Sequence, residues 1–262
     1  MQDRGVESFM CILFVAVNQH KDYPLIIAAN RDEFFKRGTS QSHIWDSEHG
    51  IIAGKDLQAG GTWMGISKRG YIASLTNIRD PQKICTDAIT RGELVSHYLQ
   101  KPANDYHQTL SANKDNYNGY NLLFGKWNAL AVYNNHLDQI QQLTDGYYGL
   151  SNASLNSPWP KINKGVGKLE EYCQDGHDIN PDILFKLLLD KSLAADQDLP
   201  QTGVPIDWER RLSSIFILGE EYGTRSSTVL KVDKKQNVTW YERTYDNTAT
   251  CTSSQSFHFS II

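Results

Sequence analysis

The apolar stretch Cys11-Ile-Leu-Phe-Val-Ala-Val17 decides how this chain folds. A short, uninterrupted run that is rich in β-branched side chains is typical of a strand buried on both faces. A polar turn over residues 18–22 separates it from Tyr23 to Ala29, which predicts a second buried strand, antiparallel to the first. The tetrapeptide Asn30-Arg31-Asp32-Glu33 follows at once, so we expect four polar side chains where a buried strand ends.

Two pairs of predicted helices interrupt the strands that follow. A capping-box pattern, Thr90-Arg-Gly-Glu93, predicts a helix that runs to about Gln100. Further helices are predicted at residues 105–112, 162–172 and 181–189, and later strands at residues 214–218, 226–232 and 238–243. This order favours one layered α+β domain, in which two antiparallel sheets carry helices on both outer faces.

The composition excludes several classes of function. Of the 262 residues, 40% are hydrophobic and 21% are charged, which gives enough apolar material for a sizeable core. The net charge of −4 does not favour broad electrostatic binding to nucleic acid or to anionic lipid. The longest apolar run is about a third of a membrane-spanning helix, so no integral membrane segment is expected.

The four cysteines, Cys11, Cys85, Cys173 and Cys251, are widely scattered. No Cys-x-x-Cys pattern is present, and the eight histidines show no metal-ligand spacing, so no metal site is expected. Reduced thiols at this low density are typical of a cytosolic protein, and we predict a cytoplasmic location.

Cys11 is the first candidate for chemistry, because Met10 directly precedes it. Translation that starts at Met10, or self-cleavage after it, would make Cys11 the free N-terminus. Residues 1–10 would then be an extension missing from the mature chain, and residues 11–262 the domain. The α-amine, with a reference pKa of about 7.7–8.0, can accept the thiol proton and generate a nucleophilic thiolate. The alternative is a small core cysteine in an apolar strand.

The tetrapeptide Asn30–Glu33 is the second candidate. After a buried strand, Asp32 or Arg31 can reach the start of the neighbouring strand, where Cys11 lies. A carboxylate there would orient an α-ammonium, and a guanidinium would hold an anionic group of a substrate. The alternative is a solvated turn with local ion pairs.

Three further polar side chains are candidates. The amides of Asn152 and Asn77 are suited to donate hydrogen bonds to a developing oxyanion, although asparagine is also a common turn residue. Arg225 precedes a predicted buried strand, where it would bind an anion or pair with Asp32. The alternative for Arg225 is an ordinary charge at a strand edge.

Six sequence blocks occur in an order that resembles one known family. They are Met10-Cys-Ile-Leu13, Asn30-Arg-Asp-Glu-Phe34, Gly60-Gly-Thr-Trp-Met-Gly65, Gly149-Leu-Ser-Asn152, Trp159-Pro-Lys161 and Gly223-Thr-Arg-Ser-Ser-Thr228. The chain resembles the NRDE family, the relatives of transport and Golgi organisation protein 2, from Met10 to about Tyr241.

The resemblance implies a four-layer αββα sandwich of the N-terminal nucleophile (Ntn) hydrolase type. It also implies distant kinship with choloylglycine hydrolases and penicillin V acylases. By motif, the positions of that group's catalytic residues correspond here to Cys11, Asp32, Asn152, Arg225 and Asn77. One position departs from the pattern, because those hydrolases carry arginine three residues before the aspartate, where this chain has Ala29.

The family association implies a haem-binding carrier that works in haem trafficking and delivers haem to acceptor proteins. Its expected ligand-binding residues are Asn30, Arg31, Glu33, Trp63 and Trp159, with haem as ligand and no other cofactor. The residue chemistry keeps an alternative open, an N-terminal-cysteine amidohydrolase that cleaves a C–N amide bond. A second alternative is a protein that binds acyl-coenzyme A or another lipid without chemistry.

Overall fold

The computed structural model describes residues 11–45, 49–175 and 178–262. The predicted extension, residues 1–10, lies outside the described residues. In chain order, the strands are β1 (Cys11–Val17), β2 (Leu25–Phe34), β3 (Thr39–Ile44), β4 (Ile52–Asp56), β5 (Met64–Ile66), β6 (Tyr71–Asn77), β7 (Tyr120–Lys126), β8 (Ala129–Asn134), β9 (Gln139–Gln142), β10 (Gly146–Leu150), β11 (Tyr222–Val232), β12 (Asn237–Tyr245) and β13 (Cys251–Ser260). The α-helices are α1 (Gly92–Gln100), α2 (Tyr106–Ala112), α3 (Pro160–Gln174), α4 (Pro181–Leu188) and α5 (Ile206–Arg211).

The strands form two antiparallel sheets. The first has the order β10-β1-β2-β11-β12-β13, and the second has the order β3-β4-β5-β6-β7-β8-β9. In the first sheet, β1 pairs with β2 so that Cys11 lies opposite Arg31 and Val17 lies opposite Leu25. Both strands have a second neighbour, β10 for β1 and β11 for β2. They are central strands covered on both faces, which explains their unbroken apolar sequences.

Three apolar clusters fill the spaces between the layers. One lies between the two sheets and includes Leu13 of β1 and Leu123 of β7. A second joins the outer face of the first sheet to α3 and α4, and a third joins the outer face of the second sheet to α1 and α2. The layers are therefore helix, sheet, sheet and helix, which confirms the four-layer αββα sandwich.

Strand β2 is longer than its sequence predicts. It continues to Phe34, so the tetrapeptide Asn30–Glu33 lies inside the strand rather than after it, and all four side chains are buried. Strand β11 pairs along the tetrapeptide, from Ser227 opposite Asn30 to Gly223 opposite Glu33. Four consecutive polar residues normally mark a turn. Here the ladder with β11 and specific side-chain partners hold them inside the sheet, although the buried Nη1 atom of Arg31 has no hydrogen-bond partner among the described residues.

Two other local predictions are wrong. The predicted strand at residues 214–218 is a loop that is buried up to Ile217, in which the Ile217 N–H donates to the Thr224 hydroxyl instead of joining a ladder. The predicted capping box does not form, because α1 begins at Gly92 and the Glu93 carboxylate accepts a hydrogen bond from the Tyr117 hydroxyl instead. Both segments make tertiary contacts that a local sequence pattern does not encode.

Two glycines of α3 provide a matched test of how this helix packs on β1. A Cβ added at Gly165 would overlap the buried Phe14 ring, whereas a Cβ at Gly167 would have no other atom within 4 Å. We expect Gly167→Ala to raise the free energy of unfolding by about 1 kcal/mol through helix propensity. Gly165→Ala should lower it by about 1–3 kcal/mol through overpacking. Urea unfolding of both variants measures the difference, and equal effects would contradict this packing.

Candidate functional site

A cavity of about 1460 Å³ opens between the ends of the two sheets. Strands β1 and β2 contribute Cys11 and residues 31–34 to its lining, and β6 contributes Leu75 and Asn77. Loops of the second sheet and helix α5 supply further walls. Six of the predicted site residues line this cavity together, namely Cys11, Arg31, Asp32, Glu33, Trp63 and Asn77.

Cys11 lies at the start of β1 and is buried. Its carbonyl oxygen accepts a hydrogen bond of 3.0 Å from the Ser151 hydroxyl, which ties the strand to the end of β10. Burial raises the pKa of the Cys11 thiol to about 12, and the neighbouring Asp32 carboxylate adds to that rise. The Arg31 charge and the backbone N–H of Asp32 act in the opposite direction. With residues 1–10 attached, this thiol is protonated at neutral pH.

Arg31 and Glu33 project from the same face of β2 because they are two residues apart. The Arg31 Nη2 atom lies 3.3 Å from Glu33 Oε2, and the guanidinium carbon lies 4.3 Å from the centre of the Trp63 ring. Arg37 Nε lies 3.6 Å from the same Glu33 oxygen. Burial raises the pKa of Glu33 to about 7, and the charges of Arg31 and Arg37 oppose this rise. Arg31 is therefore fixed in position by a carboxylate and an aromatic ring.

Asp32 is buried beside an unexpected cation. Its Oδ1 atom accepts a hydrogen bond of 2.5 Å from the Thr224 hydroxyl. Lys161 of α3, which is also buried, interacts electrostatically with Asp32 and Cys11. Burial raises the pKa of Asp32, and burial followed by the charge of Arg79 lowers the pKa of Lys161.

Lys161 is a site residue that the sequence analysis missed. In the sequence it lies four residues before Gly165 and eight before Leu169, and both of these face the core from α3. The sequence signal that identifies Lys161 is its place on the buried face of a helix, because an isolated buried charge requires a partner.

Asn152 does not line the cavity, although Asn77 does. The Asn152 Nδ2 atom donates a hydrogen bond of 3.0 Å to the Asn77 carbonyl oxygen. Its Oδ1 atom accepts from the Ser151 hydroxyl at 2.8 Å and lies 3.5 Å from Lys161 Nζ. The Asn152 amide therefore joins the ends of the two sheets next to Cys11.

Besides Asn152, three predicted site residues lie outside the cavity lining: Asn30, Trp159 and Arg225. Asn30 is buried, and its amide donates to the Leu188 and Ile215 carbonyl oxygens on the helical side of the sheet. Trp159 lies with its ring centre 5.0 Å from the Arg79 guanidinium. Arg225 is directed away from Asp32.

The guanidinium of Arg225 donates to the carbonyl oxygens of Phe34 and Arg37, at 2.9 and 3.0 Å. These bonds fix the turn that follows β2. Arg225 therefore orders the segment that carries Phe34 and Arg37 into the cavity wall, instead of pairing with Asp32.

Two cationic wall residues were also missed, Arg91 and Arg211. Arg91 donates to the Gly119 carbonyl oxygen, and Arg211 donates to the Tyr222 carbonyl oxygen. Within the described ranges, no carboxylate lies within 4.0 Å of either guanidinium. The Nε atom of Arg211 is buried and has no hydrogen-bond partner there. The cavity thus holds two positive charges that an anionic group can neutralise.

Two negative findings concern the described residues alone. They contain no group of three or more His, Cys, Asp or Glu side chains arranged to hold a metal ion. Among their helices, none has the length and apolar composition needed to cross a membrane.

Sequence comparisons match this chain to known proteins over most of its length. The family model described as Transport and Golgi organisation 2 matches residues 10–247. The Transport and Golgi organization protein 2 homolog of Homo sapiens is 34% identical over 257 residues, which cover 89% of this chain and 92% of the relative. The Drosophila melanogaster protein of that name is 29% identical over 266 residues, with 90% and 92% covered.

Solved structures give more distant matches. A mutant of the conjugated bile acid hydrolase from Clostridium perfringens aligns with a TM-score of 0.43 at 10% identity, covering 95% of this chain and 92% of the other. The N-acylethanolamine-hydrolyzing acid amidase ortholog of Caenorhabditis elegans aligns with a TM-score of 0.42 at 10% identity, covering 84% and 92%.

The raised pKa of Cys11 predicts low thiol reactivity in the chain that retains residues 1–10. We expect iodoacetamide at pH 8 to modify the exposed Cys85 and Cys251 first and to leave Cys11 largely unmodified, because the thiolate is the reactive form. Cys85 lines the same cavity and is the exposed reference thiol within the chain. Peptide mass spectrometry after timed alkylation measures each site. Modification of Cys11 as fast as Cys85 would contradict the assigned environment.

Proposed function

The chain belongs to the Transport and Golgi organisation 2 family, and from this premise we propose that it is a haem-binding carrier in haem trafficking. The observation that carries the proposal is the pair of arginines, Arg91 and Arg211, in the wall of a large cavity without a carboxylate partner among the described residues. Haem presents two carboxylates on a flat apolar ring, which matches a cavity that holds these two arginines together with aromatic walls.

Two arginines in the cavity wall, Arg91 and Arg211, favour an anionic ligand. A guanidinium that is withdrawn from water without a counter-ion is costly, and a bound carboxylate or phosphate removes that cost through charge-assisted hydrogen bonds. Arg31 and Arg37 already have Glu33 and Asp56 as partners. Arg91 and Arg211 are therefore the residues that would hold the propionates.

The remaining walls fit the apolar part of such a ligand. Trp63, Trp208 and Tyr222 line the cavity, and aromatic rings suit the face of a porphyrin. The volume of about 1460 Å³ exceeds the roughly 300–1,000 Å³ of a pocket for a drug-sized molecule. When bound, haem supplies iron coordination chemistry. Cys11, Cys85 and Tyr222 are lining side chains of types that ligate haem iron.

A carrier must also release its ligand, and this cavity is open to solvent on one side. Exposed Cys85, Glu220 and Glu221 belong to its lining, so a bound porphyrin would keep an accessible edge. In this role, the protein transfers its bound haem to a haem-acceptor protein in the cytoplasm.

A second candidate function is the N-terminal-cysteine amidohydrolase, which the place of Cys11 in the cavity favours. In a chain that starts at Cys11, the α-amine takes the thiol proton and the sulfur attacks the amide carbonyl carbon. The C–S bond forms, the C–N bond breaks, and the amine leaves with the proton. Water then hydrolyses the thioester to the acid and regenerates the thiol. Acyl-coenzyme A binding is the remaining alternative, because phosphates also suit arginines.

Arginine-to-glutamine variants test the anion site. We expect Arg211→Gln to weaken haem binding at least about tenfold, because a charge-assisted hydrogen bond contributes about 1.5–3 kcal/mol. The neighbouring Arg210 pairs with Asp196 and Asp207 on the surface, so Arg210→Gln is the matched control and should bind as the unmodified chain does. Titration followed by the Soret band measures both affinities. Equal affinities for both variants would contradict the role of Arg211.

Competition separates haem from acyl-coenzyme A as the ligand. We expect haem to bind in the presence of excess acyl-coenzyme A, and protoporphyrin dimethyl ester, which lacks the carboxylates, to bind more weakly than protoporphyrin. Displacement of haem by equimolar acyl-coenzyme A would instead support the lipid alternative.

The pH dependence of anion binding follows from Glu33. As pH falls from 8 to 6, Glu33 with its pKa of about 7 loses its negative charge, so more of the Arg31 and Arg37 charge is available to an anion. The raised pKa of Asp32 and the lowered pKa of Lys161 change the charge in the same direction. Affinity for an anionic fluorescent probe should therefore rise toward pH 6.

The Glu33→Gln variant is the control for that dependence. It should bind the probe more tightly at pH 8 and show a flatter pH profile, since the charge is absent at every pH. A profile that weakens toward pH 6, or that Glu33→Gln leaves unchanged, would overturn the assignment.

The amidohydrolase is tested by the mature N-terminus. Intact mass and N-terminal sequencing of chain expressed without an N-terminal tag would have to give Cys11 as the first residue. A chain that keeps residues 1–10 has an amide nitrogen in place of the required amine, and this outcome would exclude that mechanism.

A further inference from the structure

Helix α5 carries two residues of the cavity wall, Trp208 and Arg211. Residues 178–262 are described without a gap, and among residues 189–211 of that range the only buried one is Glu209. A short surface helix is normally held in place by a buried apolar face. In α5 the buried side chain is a carboxylate, which is stable in the interior only with partners. The partners of Glu209 therefore determine where α5 lies.

Both oxygens of the Glu209 carboxylate have partners. Oε2 forms an ion pair with Arg79 Nη1, and the two side chains are only 4% and 1% exposed. Oε1 accepts hydrogen bonds from the backbone N–H and the hydroxyl of Thr202, at 2.8 and 2.6 Å. Removing one partner of such a pair leaves the other charge buried and uncompensated, which is costly. The carboxylate therefore ties α5, and the loop before it, to Arg79.

Arg79 is itself fixed at the ends of two strands next to Cys11. It lies two residues after the end of β6, and its backbone N–H donates to the Asn152 carbonyl oxygen at 2.8 Å. The Asn152 amide in turn donates to the Asn77 carbonyl oxygen. The Arg79 guanidinium lies 5.0 Å from the centre of the Trp159 ring. Through Arg79, the position of α5 is thus set by the ends of β6 and β10.

The guanidinium of Arg211 has a closely fitted place on the loop before β11. It donates to the Tyr222 carbonyl oxygen at 2.6 Å. A Cβ added at Gly219 would lie 1.6 Å from Arg211 Nη2 and 2.7 Å from that carbonyl oxygen. Only glycine leaves room for the guanidinium here. The orientation of Arg211 therefore depends on this contact at one end and on the anchored helix at the other.

We propose that Arg79 and Glu209 are positioning residues of the cavity, whose ion pair holds α5 so that Arg211 stays directed at a bound anionic group. This inference rests on the proposed function, because it takes Arg211 as a residue that binds the anion. Neither Arg79 nor Glu209 is among the residues that line the cavity, so both act through Arg211. A cation that is already held in its bound orientation loses less freedom when the ligand binds, which raises affinity.

Hydrogen–deuterium exchange of the unliganded full chain tests the anchor without any ligand. Glu209→Gln removes the charge at nearly constant side-chain volume. The amides of α5 should then exchange at least about tenfold faster, because a hydrogen bond between charged groups is lost. Glu242→Gln is the matched control, since Glu242 is also buried but accepts from the Ser42 N–H of β3. It should leave exchange in α5 unchanged, and equal exchange in both variants would overturn the inference.

Thr202→Val keeps the inference testable if Glu209→Gln does not fold. It removes the hydroxyl that donates to Glu209 Oε1 and keeps the shape of the side chain and the ion pair with Arg79. Exchange in α5 should rise at least about threefold, as expected for one lost hydrogen bond. Unchanged exchange in α5 would contradict the role of the carboxylate as its anchor.

A double-mutant cycle followed by haem titration distinguishes positioning from general stability. Glu209→Gln should weaken haem binding at least about threefold in the unmodified chain, and no more than Arg211→Gln does. In the Arg211→Gln background it should change affinity less than about twofold, because the residue that it positions is gone. The same loss in both backgrounds would indicate a purely structural role and overturn the inference. If the unmodified chain binds no haem, the proposed function fails, and exchange in α5 still decides whether the ion pair anchors the helix.

Discussion

The pairing of β1 with β2 controls both the core and the site. It places Cys11 opposite Arg31 and draws the polar tetrapeptide Asn30–Glu33 into the interior of a sheet. Buried polar groups without partners are costly, so each of these side chains must have a partner nearby. Asn30 uses carbonyl oxygens beneath the helices, and Asp32 uses the Thr224 hydroxyl. The tetrapeptide therefore ties β2 to the layers around it.

Strand β2 directs some of its polar side chains into the cavity and others to the opposite face of the sheet. Side chains alternate along a strand, so Arg31 and Glu33 share the face that Asn30 does not. Arg31 and Glu33 reach the cavity as a fixed ion pair, stacked on Trp63. The cations without a carboxylate partner in the described chain come from elsewhere, from Arg91 at the start of α1 and Arg211 at the end of α5. The positions of these two positive charges in the cavity wall therefore depend on how α1 and α5 are placed beside the ends of the strands.

The sequence predicted the architecture because its strongest signals are local. Unbroken apolar runs mark β1 and the first part of β2, and the helices predicted at residues 162–172 and 181–189 correspond to α3 and α4, so the layers follow from the order of the elements. The family resemblance is confirmed, and six of its implied residues meet in one cavity. The continuation of β2 through Asn30–Glu33 was missed because only the partner strand β11 makes a polar strand interior stable.

The positions of the other site residues depend on tertiary contacts that no sequence pattern encodes. Arg91 and Arg211 are ordinary surface residues by sequence, and only the loops around them bring both to one cavity. Asn152 was predicted to face the site as an oxyanion donor, but its amide instead bridges to the Asn77 backbone. Lys161 alone carried a readable signal, a charge on the buried stripe of α3.

A crystal structure of the protein with haem bound would show whether Arg91 and Arg211 make this cavity a site for an anionic, ring-shaped ligand. We predict that the porphyrin lies inside the cavity, with its propionates within hydrogen-bond distance of these guanidinium groups. Haem on the outer surface, or in the cavity with both propionates directed away from Arg91 and Arg211, would contradict it.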